Sequence, residues 1–278
     1  MKRIAILGTG FFGVGAALIL SKKFKVDLYE KNQEIMQGAS STNQLRFHLG
    51  YHYPRSTKTL KEVQKSNEDF INFYGKNIFG KTKNFYGVSS KRSNTTFTKY
   101  ISFLKKNKLK YKKIFLSELD NIEGSVVSTE KNINISKIKK IIKKKILITK
   151  NINLLLNKKL TSLDIKKYHK VIIATYENNN SVLKNLGIKI KKKYKYELVE
   201  KTIVKLPKRF KNKSYMIIDG KFLCLDPLVG TDFHLLSSNK YSKIEIIKGF
   251  LPKFRSKKSM FIHKGLIKQK KYSNFKKI

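Results

Sequence analysis

The sequence has 278 residues, of which 40% are hydrophobic and 12% aromatic, so the chain can bury a sizeable core and is expected to be globular. It contains 62 Lys and Arg against 18 Asp and Glu, which gives a formal net charge of +44 at pH 7. The basic residues are spread over most of the chain and form no single arm or recognition helix, so we expect no specific nucleic-acid partner.

The N-terminal segment predicts a strand, a glycine turn and a helix. Ile4–Leu7 is a short apolar run typical of a buried parallel strand, and a helix is predicted over residues 12–22. Between them Gly8, Gly10 and Gly13 have the spacing G-x-G-x-x-G. In that motif the first glycine permits a tight turn, the second admits a pyrophosphate and the third lets the helix approach the strand. The phosphates then lie at the positive end of the helix.

A second predicted strand, Val26–Tyr29, ends at Glu30. A carboxylate at this point can accept hydrogen bonds from the ribose of an adenosine. It also disfavours a 2′-phosphate, because the two groups carry like charge. The strands, the glycine turn, the helix and the acid occur in the order that dinucleotide binding needs, so the segment predicts a dinucleotide cofactor other than NADP.

Residues 37–56, which follow a short distance after Glu30, read QGASSTNQLRFHLGYHYPRS. It resembles the FAD-dependent oxidoreductases of the D-amino-acid-oxidase superfamily, which includes glycine oxidase, sarcosine oxidase and the 2-hydroxyglutarate and glycerol-3-phosphate dehydrogenases. There a Gly-Ala-Ser segment follows the ribose-binding acid, and some branches continue with an Asn, a His-x-Gly and a Tyr. The residues that carry the resemblance are Gly38, Ala39, Ser40, Ser41, Asn43, His48, Gly50, Tyr53, Pro54 and Ser56.

The resemblance covers about residues 3–250 and implies FAD as the cofactor. A strand near residue 172 resembles the family's Ala-Thr-Gly turn beside the FAD pyrophosphate, although Tyr176 stands where the glycine is usual. The cofactor-binding residues that the glycine motif and the resemblance together predict are Gly8, Gly10, Phe11, Phe12, Gly13, Glu30, Lys31, Ser41, Thr42, Asn43, Ala174 and Thr175.

The same segment supplies the candidate catalytic residues, which in the family face the flavin and the substrate. Strand alternation places Arg46, His48 and Gly50 on one face. His48 is the first choice for a group at the reacting carbon or the flavin. Tyr53, five residues further along, is a second candidate catalytic residue. Arg46 and Arg55 are candidates to clamp a substrate carboxylate, because a planar guanidinium can bind it in a bidentate way. For each of these residues the alternative is a structural hydrogen bond.

Further elements are predicted along the chain. A helix is expected over residues 60–74, with a capping box from Thr59 and Glu62 and a stop at Gly75. A helical stripe of isoleucines lies between Ile135 and Ile142. The segments ILIT, NLLL and KVIIAT, which start at residues 146, 153 and 170, are predicted strands.

The second half predicts an antiparallel sheet. Residues 194–207 and 214–230 have alternating patterns, and Asp219–Gly220 is a strong hairpin signal. In the family this sheet covers the pocket over the flavin. Four of its residues are candidates to line that pocket or to be ordinary sheet residues: Tyr196, Glu197, Asp226 and His234.

The predicted fold is therefore α/β, a Rossmann-type FAD-binding domain interleaved with a mostly antiparallel β substrate domain. The FAD-binding domain is expected to comprise residues 1–80 and 125–180, and the substrate domain residues 81–124 and 181–250. Residues 251–278 have no counterpart of the family's C-terminal Gly-Lys segment, so they are expected to be atypical and the chain to be truncated, completed by a partner or non-catalytic.

The predicted function is oxidation of a small anionic amino or hydroxy acid, with hydride transfer to flavin N5. Three alternatives are an accessory flavoprotein of surface-sugar or nucleotide-sugar metabolism, a non-catalytic protein with a flavin-binding fold, and a basic nucleic-acid-binding protein. No metal site is predicted, and the oligomeric state is open. The single cysteine, Cys224, and the absence of a run approaching the ~18 apolar residues of a membrane span favour the cytoplasm.

Overall fold

The computed structural model describes residues 1–219, 223–264 and 275 of the chain. The strands in this part of the chain are β1 (Arg3–Leu7), β2 (Lys25–Tyr29), β3 (Arg46–Phe47), β4 (Lys83–Ser89), β5 (Tyr111–Ile114), β6 (Ile122–Ser128), β7 (Lys131–Asn132), β8 (Ile152–Leu155), β9 (Lys170–Ile173), β10 (Tyr194–Val199), β11 (Thr202–Lys205), β12 (Lys213–Ile218), β13 (Leu223–Pro227), β14 (Phe233–Ser238) and β15 (Lys243–Gly249).

The helices complete the list of regular elements. The α-helices are α1 (Phe11–Leu20), α2 (Ala39–Thr42), α3 (Thr57–Tyr74), α4 (Phe97–Lys106), α5 (Ile135–Ile148) and α6 (Asn179–Asn185). Short 3₁₀ turns occupy Lys76–Ile78, Ile165–Lys167, Tyr176–Asn178, Lys208–Phe210 and Lys257–Phe261. Within the residues that the structure describes, no helix combines the length and the apolar character needed to cross a bilayer.

The chain divides into two units. The first contains residues 1–43, 138–199 and 244–264, and the second contains residues 44–137 and 200–243. Residues 44–80 therefore belong to the second unit and not, as predicted, to the FAD-binding part. The physical reason is local pairing: β3 is antiparallel to β7, and Arg46 makes its polar contacts with residues of the second unit.

The first unit is built on a parallel four-stranded sheet with the order β8-β2-β1-β9. Its central strand β1 is buried from Ile4 to Leu7, as a continuous apolar run predicts for a strand covered on both faces. Because the strands are parallel, the carboxyl ends of β1, β2 and β9 lie at one edge. This edge brings together Gly8, Glu30 and Ala174, which are far apart in sequence.

The predictions for β1, α1, β2, β8 and β9 are confirmed, with boundaries shifted by a few residues. The predicted strand over residues 146–149 is wrong, because helix α5 continues to Ile148. Ile138, Ile142 and Ile146 are buried at a spacing of four, so the third isoleucine extends the apolar face of the helix.

The second unit is built on a seven-stranded sheet with the order β11-β14-β13-β12-β4-β6-β5. All neighbours are antiparallel except β12 and β4, which are parallel. One face of this sheet packs in a core that includes Tyr86, Met216 and Cys224 with Tyr100 and Leu104 of helix α4. Strands β12 and β13 are antiparallel neighbours, as the predicted hairpin requires, while Gly220 of its turn lies outside the described residues.

Two local predictions, the N-cap of helix α3 and the length of strand β3, need correction. The helix begins at Thr57 with Ser56 as its N-cap, whose Oγ accepts a hydrogen bond from Thr59 N at 3.3 Å, so the predicted Thr59 capping box is not the cap. Its predicted end at Gly75 is confirmed, with a left-handed φ of 84°. Strand β3 is only two residues long, so the strand alternation predicted across residues 46–51 stops after Phe47.

Candidate cofactor and substrate sites

The glycine turn after β1 leaves no room for larger residues at two of its three glycines. Gly8 has φ 99°, and a Cβ on it would lie 2.5 Å from the carbonyl oxygen of Ala174. A Cβ on Gly13 would lie 1.8 Å from the carbonyl oxygen of Gly8. A side chain at either position would collide with backbone, so both glycines are required by the tight turn and by the close packing of the helix.

Gly10 occupies the position at which the motif would admit a pyrophosphate. A Cβ built on it would lie 3.0 Å from Ser40 Oγ, and that hydroxyl accepts a hydrogen bond from Phe11 N at 3.1 Å. Helix α1 starts at Phe11 with no acidic residue in its first turn and no side-chain cap from Gly10. The N-terminus of α1 therefore retains the positive potential that favours an anion.

Glu30 is buried and its carboxylate is held by four hydrogen bonds. Oε2 accepts from Thr9 N at 3.2 Å and from Thr9 Oγ1 at 2.5 Å. Oε1 accepts from Asn32 N at 3.0 Å and from Asn32 Nδ2 at 2.8 Å. Glu30 is predicted from the sequence to face a ribose, but its partner Thr9, the residue between the first two glycines, is not predicted. The carboxylate thus connects the end of β2 to the glycine turn.

Three residues predicted beside the cofactor form hydrogen bonds within their own short segment. Ser41 Oγ donates to the carbonyl oxygen of Met36, and Asn43 Nδ2 donates to that of Ala39 at 3.1 Å. Thr42 is exposed, with its hydroxyl 3.5 Å from the carbonyl oxygen of Gly38. The hydroxyl that contacts the glycine turn belongs instead to Ser40, which carried the resemblance but was not a predicted site residue.

The residues after β9 lie against the glycine turn. Ala174 N donates to the carbonyl oxygen of Leu7 at 2.8 Å, and Thr175 Oγ1 donates to Asn179 Oδ1 at 2.9 Å. Tyr176, which stands where the family has glycine, has a left-handed φ of 54° and a side chain that is 76% exposed. Tyr176 begins a 3₁₀ turn with a φ that favours glycine, although the residue is bulky.

An ion pair in the first unit was not expected from the sequence. His263 Nε2 lies 2.7 Å from Glu177 Oε1, and the His263 ring is 3.5 Å from the point that a Cβ on Gly38 would occupy. Burial alone would raise the pKa of Glu177, but His263 and the nearby exposed Lys31 lower it overall. The segment after residue 250, which looked atypical, thus contacts the Gly-Ala-Ser segment. Isolated His and Glu residues carry no sequence signal for such a pair.

In the second unit, the opening residues of the His-x-Gly string surround Glu130, which sequence analysis also missed. Glu130 accepts hydrogen bonds from Leu49 N at 2.8 Å and from the Tyr86 hydroxyl at 2.5 Å. His48 Nδ1 lies 3.7 Å from Oε1, and Arg46 Nη1 lies 3.5 Å from Oε2. Burial would raise the pKa of Glu130, but His48, Arg46 and Tyr86 together lower it to about 2.

Arg46 is a buried structural cation, which corrects its predicted role as a substrate clamp. Its side chain is 0% exposed, and Nη2 lies 2.6 Å from Asp226 Oδ1 and also donates to Ser214 Oγ. Asp226 accepts a further hydrogen bond from Asn132 Nδ2 at 3.1 Å. With Glu130 and Asp226 both bound to it, the guanidinium has no accessible edge for a second carboxylate.

The other predicted catalytic residues are partly accessible. Arg55 is 59% exposed and pairs with Asp219 through a 3.1 Å hydrogen bond from Nη2 and a second one from Nε. The rings of His48, His52 and Tyr53 form a cluster with centroids 5.2 to 5.8 Å apart. Burial, with help from His48 and Arg46, lowers the pKa of His52 to about 4.

The candidate pocket residues of the second half make structural contacts. His234 Nε2 lies 3.0 Å from the carbonyl oxygen of Phe210, and the Tyr196 hydroxyl donates to that of Phe250 at 3.0 Å. Glu197 pairs with Lys195 at 2.9 Å. Together with the burial of Asp226, these contacts favour the alternative that the four are ordinary sheet residues.

This chain is similar to known proteins in sequence over a short stretch and in structure over most of its length. No protein-family model matches the chain. A 72-residue stretch is 33% identical to the FAD-dependent monooxygenase FPY4 of Fusarium mangiferae, and the match covers 26% of this chain but only 20% of that protein. Glycine oxidase from Bacillus cereus superposes with a TM-score of 0.63 and 13% identity, over 94% of this chain and 75% of that one.

The chain has the fold of glycine oxidase. A second solved structure with this fold, L-alpha-glycerophosphate oxidase from Mycoplasma pneumoniae with FAD bound, superposes with a TM-score of 0.61 and 16% identity, over 90% of this chain and 73% of that one. The α/β fold class predicted from the sequence is confirmed, and so is the resemblance to the D-amino-acid-oxidase superfamily at the level of the fold. Within this glycine oxidase fold, the glycine turn and Glu30 lie at the carboxyl edge of the parallel sheet, and His48 and Arg55 lie in the unit with the large sheet.

Proposed function

We propose that the chain is an FAD-dependent oxidoreductase that oxidises a small amino or hydroxy acid. The observation that carries the proposal is the glycine turn: a Cβ on Gly8 or Gly13 would meet backbone, and Gly10 precedes a helix N-terminus without an acidic first turn. These features fit a pyrophosphate, and the glycine oxidase fold makes FAD the matching dinucleotide. Bound flavin would supply the hydride acceptor for the reaction.

The residues of the first unit would bind the cofactor. The backbone N–H groups at the start of α1 would hold the pyrophosphate, with Ser40 beside them. Glu30 would bind the adenosine ribose by exchanging one of the four hydrogen bonds that it accepts from Thr9 and Asn32. Ala174 and Thr175 would close the far side of the turn, as their packing on Gly8 suggests.

In the second unit His48 is the proposed acid–base group. Glu130 lies 3.7 Å from Nδ1, so its negative charge favours a proton on that nitrogen and leaves Nε2 free to accept a proton from the substrate. Glu130 itself would remain ionised throughout, because its pKa is about 2. Arg55 is the proposed partner of the substrate carboxylate, since its guanidinium is exposed and could exchange Asp219 for the substrate.

The proposal is tested by anaerobic reduction of the flavin with a panel that includes glycine, proline, other amino acids, 2-hydroxy acids and glycerol phosphate. We expect bleaching of the flavin by one member of the panel. His48→Ala should keep its FAD and lose about 10²- to 10⁴-fold in the reduction rate. His169→Ala, which changes an exposed histidine of the first unit, is the matched control and should keep the rate.

Two outcomes would contradict this assignment. Bound FAD that no acid of the panel reduces would support a non-catalytic flavoprotein or a sugar-related accessory role. Equal reduction rates in wild type and His48→Ala, with a lower melting temperature of the variant, would make His48 a structural residue.

A second candidate activity is monooxygenation, which the similarity to a FAD-dependent monooxygenase favours. It would leave one oxygen atom of O₂ in the product, whereas oxidation of an amino or hydroxy acid would not. Mass spectrometry of the product formed under ¹⁸O₂ would distinguish the two activities.

A further inference from the structure

The second unit contains a cavity of about 640 Å³ on the face of the large sheet opposite to Arg46. Side chains alternate along a strand, so Asn84 and Tyr86 of β4 face the Arg46 side while Lys83 and Phe85 face the cavity. The cavity is a groove open to solvent rather than an enclosed pocket, and its volume lies within the roughly 300–1,000 Å³ that small-molecule sites span. The cavity is therefore separate from the polar cluster around Glu130.

The floor of the cavity is apolar. Phe85 pairs in register with Tyr215 on one side and Val127 on the other, and Lys112 of the edge strand β5 is opposite Val127. Leu116, from the loop after β5, is buried in the same cluster as Phe85. The next residue back, Phe115, also lines the cavity and is 88% exposed, so it adds apolar surface at the rim.

One end of this floor is strongly positive. Lys83 and Lys213 are register partners on neighbouring strands, so their side chains leave the same face of the sheet side by side. The two side chains start from strands about 4.8 Å apart, so their ammonium groups can both reach the same end of the cavity, where like charges repel. Lys110 and Lys112 also line the cavity. An anion bound between these lysines would relieve the repulsion.

The cavity contains one acidic residue, which is already engaged. Glu118 Oε1 accepts a hydrogen bond from the Tyr215 hydroxyl at 2.6 Å and lies 3.9 Å from Lys213 Nζ. Four lysines against one glutamate leave an excess of positive charge in the lining. A phosphate, with close to two negative charges, matches this excess better than a carboxylate with one.

We propose that this cavity binds a small phosphate monoester with an apolar body. The body would lie on Phe85, Val127 and Leu116, and the phosphate would sit between Lys83 and Lys213. Lysine binds phosphate as a point charge, without the geometric demands of a bidentate arginine. The proposal does not depend on the oxidoreductase function, because no residue of the cavity belongs to the proposed FAD or substrate site.

Hexyl phosphate is a suitable probe, with inorganic phosphate and hexanol as its charged and apolar halves. Calorimetric titration at 0.15 M salt should find one site for hexyl phosphate, with an affinity at least about ten-fold above that of either half. Lys83→Gln/Lys213→Gln should weaken it by at least about ten-fold. Because lysines are abundant everywhere, Lys61→Gln/Lys99→Gln, on exposed positions of α3 and α4, is the matched control and should leave the affinity unchanged.

Several results would overturn the site. Equal losses in the two double variants would mean non-specific attraction to a basic protein. Inorganic phosphate that binds as tightly as hexyl phosphate would mean an ion contact without an apolar site. Binding to anionic vesicles but not to monomeric hexyl phosphate would make this face a membrane contact. Melting curves and FAD content of each variant establish that the second unit is folded and that the cofactor site is independent.

Discussion

The carboxylate of Glu30 accepts hydrogen bonds from both the backbone N–H and the hydroxyl of Thr9, so the end of β2 is tied to the glycine turn after β1. The contact joins two residues 21 positions apart in sequence and leaves Glu30 buried. It makes the residue expected to bind a ribose also a structural part of the turn that is expected to bind the pyrophosphate.

Glu30→Gln should therefore weaken both the fold and the cofactor site. The amide keeps the shape but loses charge-assisted hydrogen bonds, so we expect the free energy of unfolding of the apoprotein to fall by about 1–3 kcal/mol. FAD affinity should fall as well. Urea melts and FAD titration measure the two effects. Glu34→Gln is the control, because Glu34 is partly exposed and pairs with Lys143 at the surface, so its loss should change stability by less than about 1 kcal/mol.

The two arginines of the His-x-Gly segment should respond to substitution to different degrees, Arg46 mainly in stability and Arg55 mainly in substrate binding. Arg46→Met would leave Glu130 and Asp226 as buried, uncompensated charges, so the free energy of unfolding should fall by about 3–5 kcal/mol. Arg55→Met also leaves a buried carboxylate, that of Asp219, without its cation, so it should lower the free energy of unfolding too, but by less than Arg46→Met because the Arg55 guanidinium itself is 59% exposed. In addition it should weaken substrate binding. Melts and substrate titrations of the two variants test this. A clear loss of stability in Arg55→Met, with Arg46→Met as stable as wild type, would reverse the assignment.

The partly buried His52 predicts a pH dependence of stability. Its pKa is about 4 in the folded chain and near 6.5 when unfolded, so between these values the unfolded chain binds more protons. Stability should then fall as pH decreases through this window, by at most about 1.4 kcal/mol per pH unit from this group. His52→Gln should flatten the slope, and His169→Gln should not. Melts between pH 6.5 and 5.5 avoid the lower window, between the ordinary pKa of 4.5 and the folded pKa of about 2, in which Glu130 causes its own loss of stability.

Tyr176 is a site where a smaller residue should stabilise the chain. Its φ of 54° costs a non-glycine residue about 1–2 kcal/mol. Glycine avoids this cost, but its greater backbone entropy in the unfolded state offsets part of the gain. We expect Tyr176→Gly to raise the free energy of unfolding by about 0.5–1 kcal/mol. Asn157 has the same φ of 54°, but asparagine tolerates this conformation, so Asn157→Gly should gain less. A destabilised Tyr176→Gly would show that the tyrosine ring contributes more than its exposure suggests.

The parts of the fold that could be predicted are those determined locally. The apolar run of β1, the glycine spacing and the stripe of α5 each identify an element from neighbouring residues alone. The end of α5 could not be placed in the same way, because Ile146 to Ile148 suit a strand as well as a helix. Burial of Ile146 decides for the helix, and burial depends on the rest of the first unit.

The candidate site could be located from the sequence, but the role of each of its residues could not be assigned. The His-x-Gly string identified Arg46 and His48, and both lie beside a buried acid. Glu130 itself, 84 residues from Arg46, has no motif around it, so the sequence could not assign the arginine to structure and the histidine to chemistry. The same holds for Ser40 on the glycine turn and for the pairing of Glu177 with His263. Long-range partners decide such roles, and only the fold supplies them.

The most direct test of FAD binding is titration of the apoprotein with FAD, followed by flavin fluorescence, in wild type and two glycine variants. Gly10→Val adds a side chain 3.0 Å from Ser40 Oγ, where the pyrophosphate would lie, whereas a Cβ on Gly15 of the same helix meets nothing within 4 Å. We expect one FAD per wild-type chain, no uptake by Gly10→Val, normal uptake by Gly15→Val and no competition from NADP. Absence of FAD uptake by the folded wild type, or equal uptake by Gly10→Val, would contradict the proposed cofactor site.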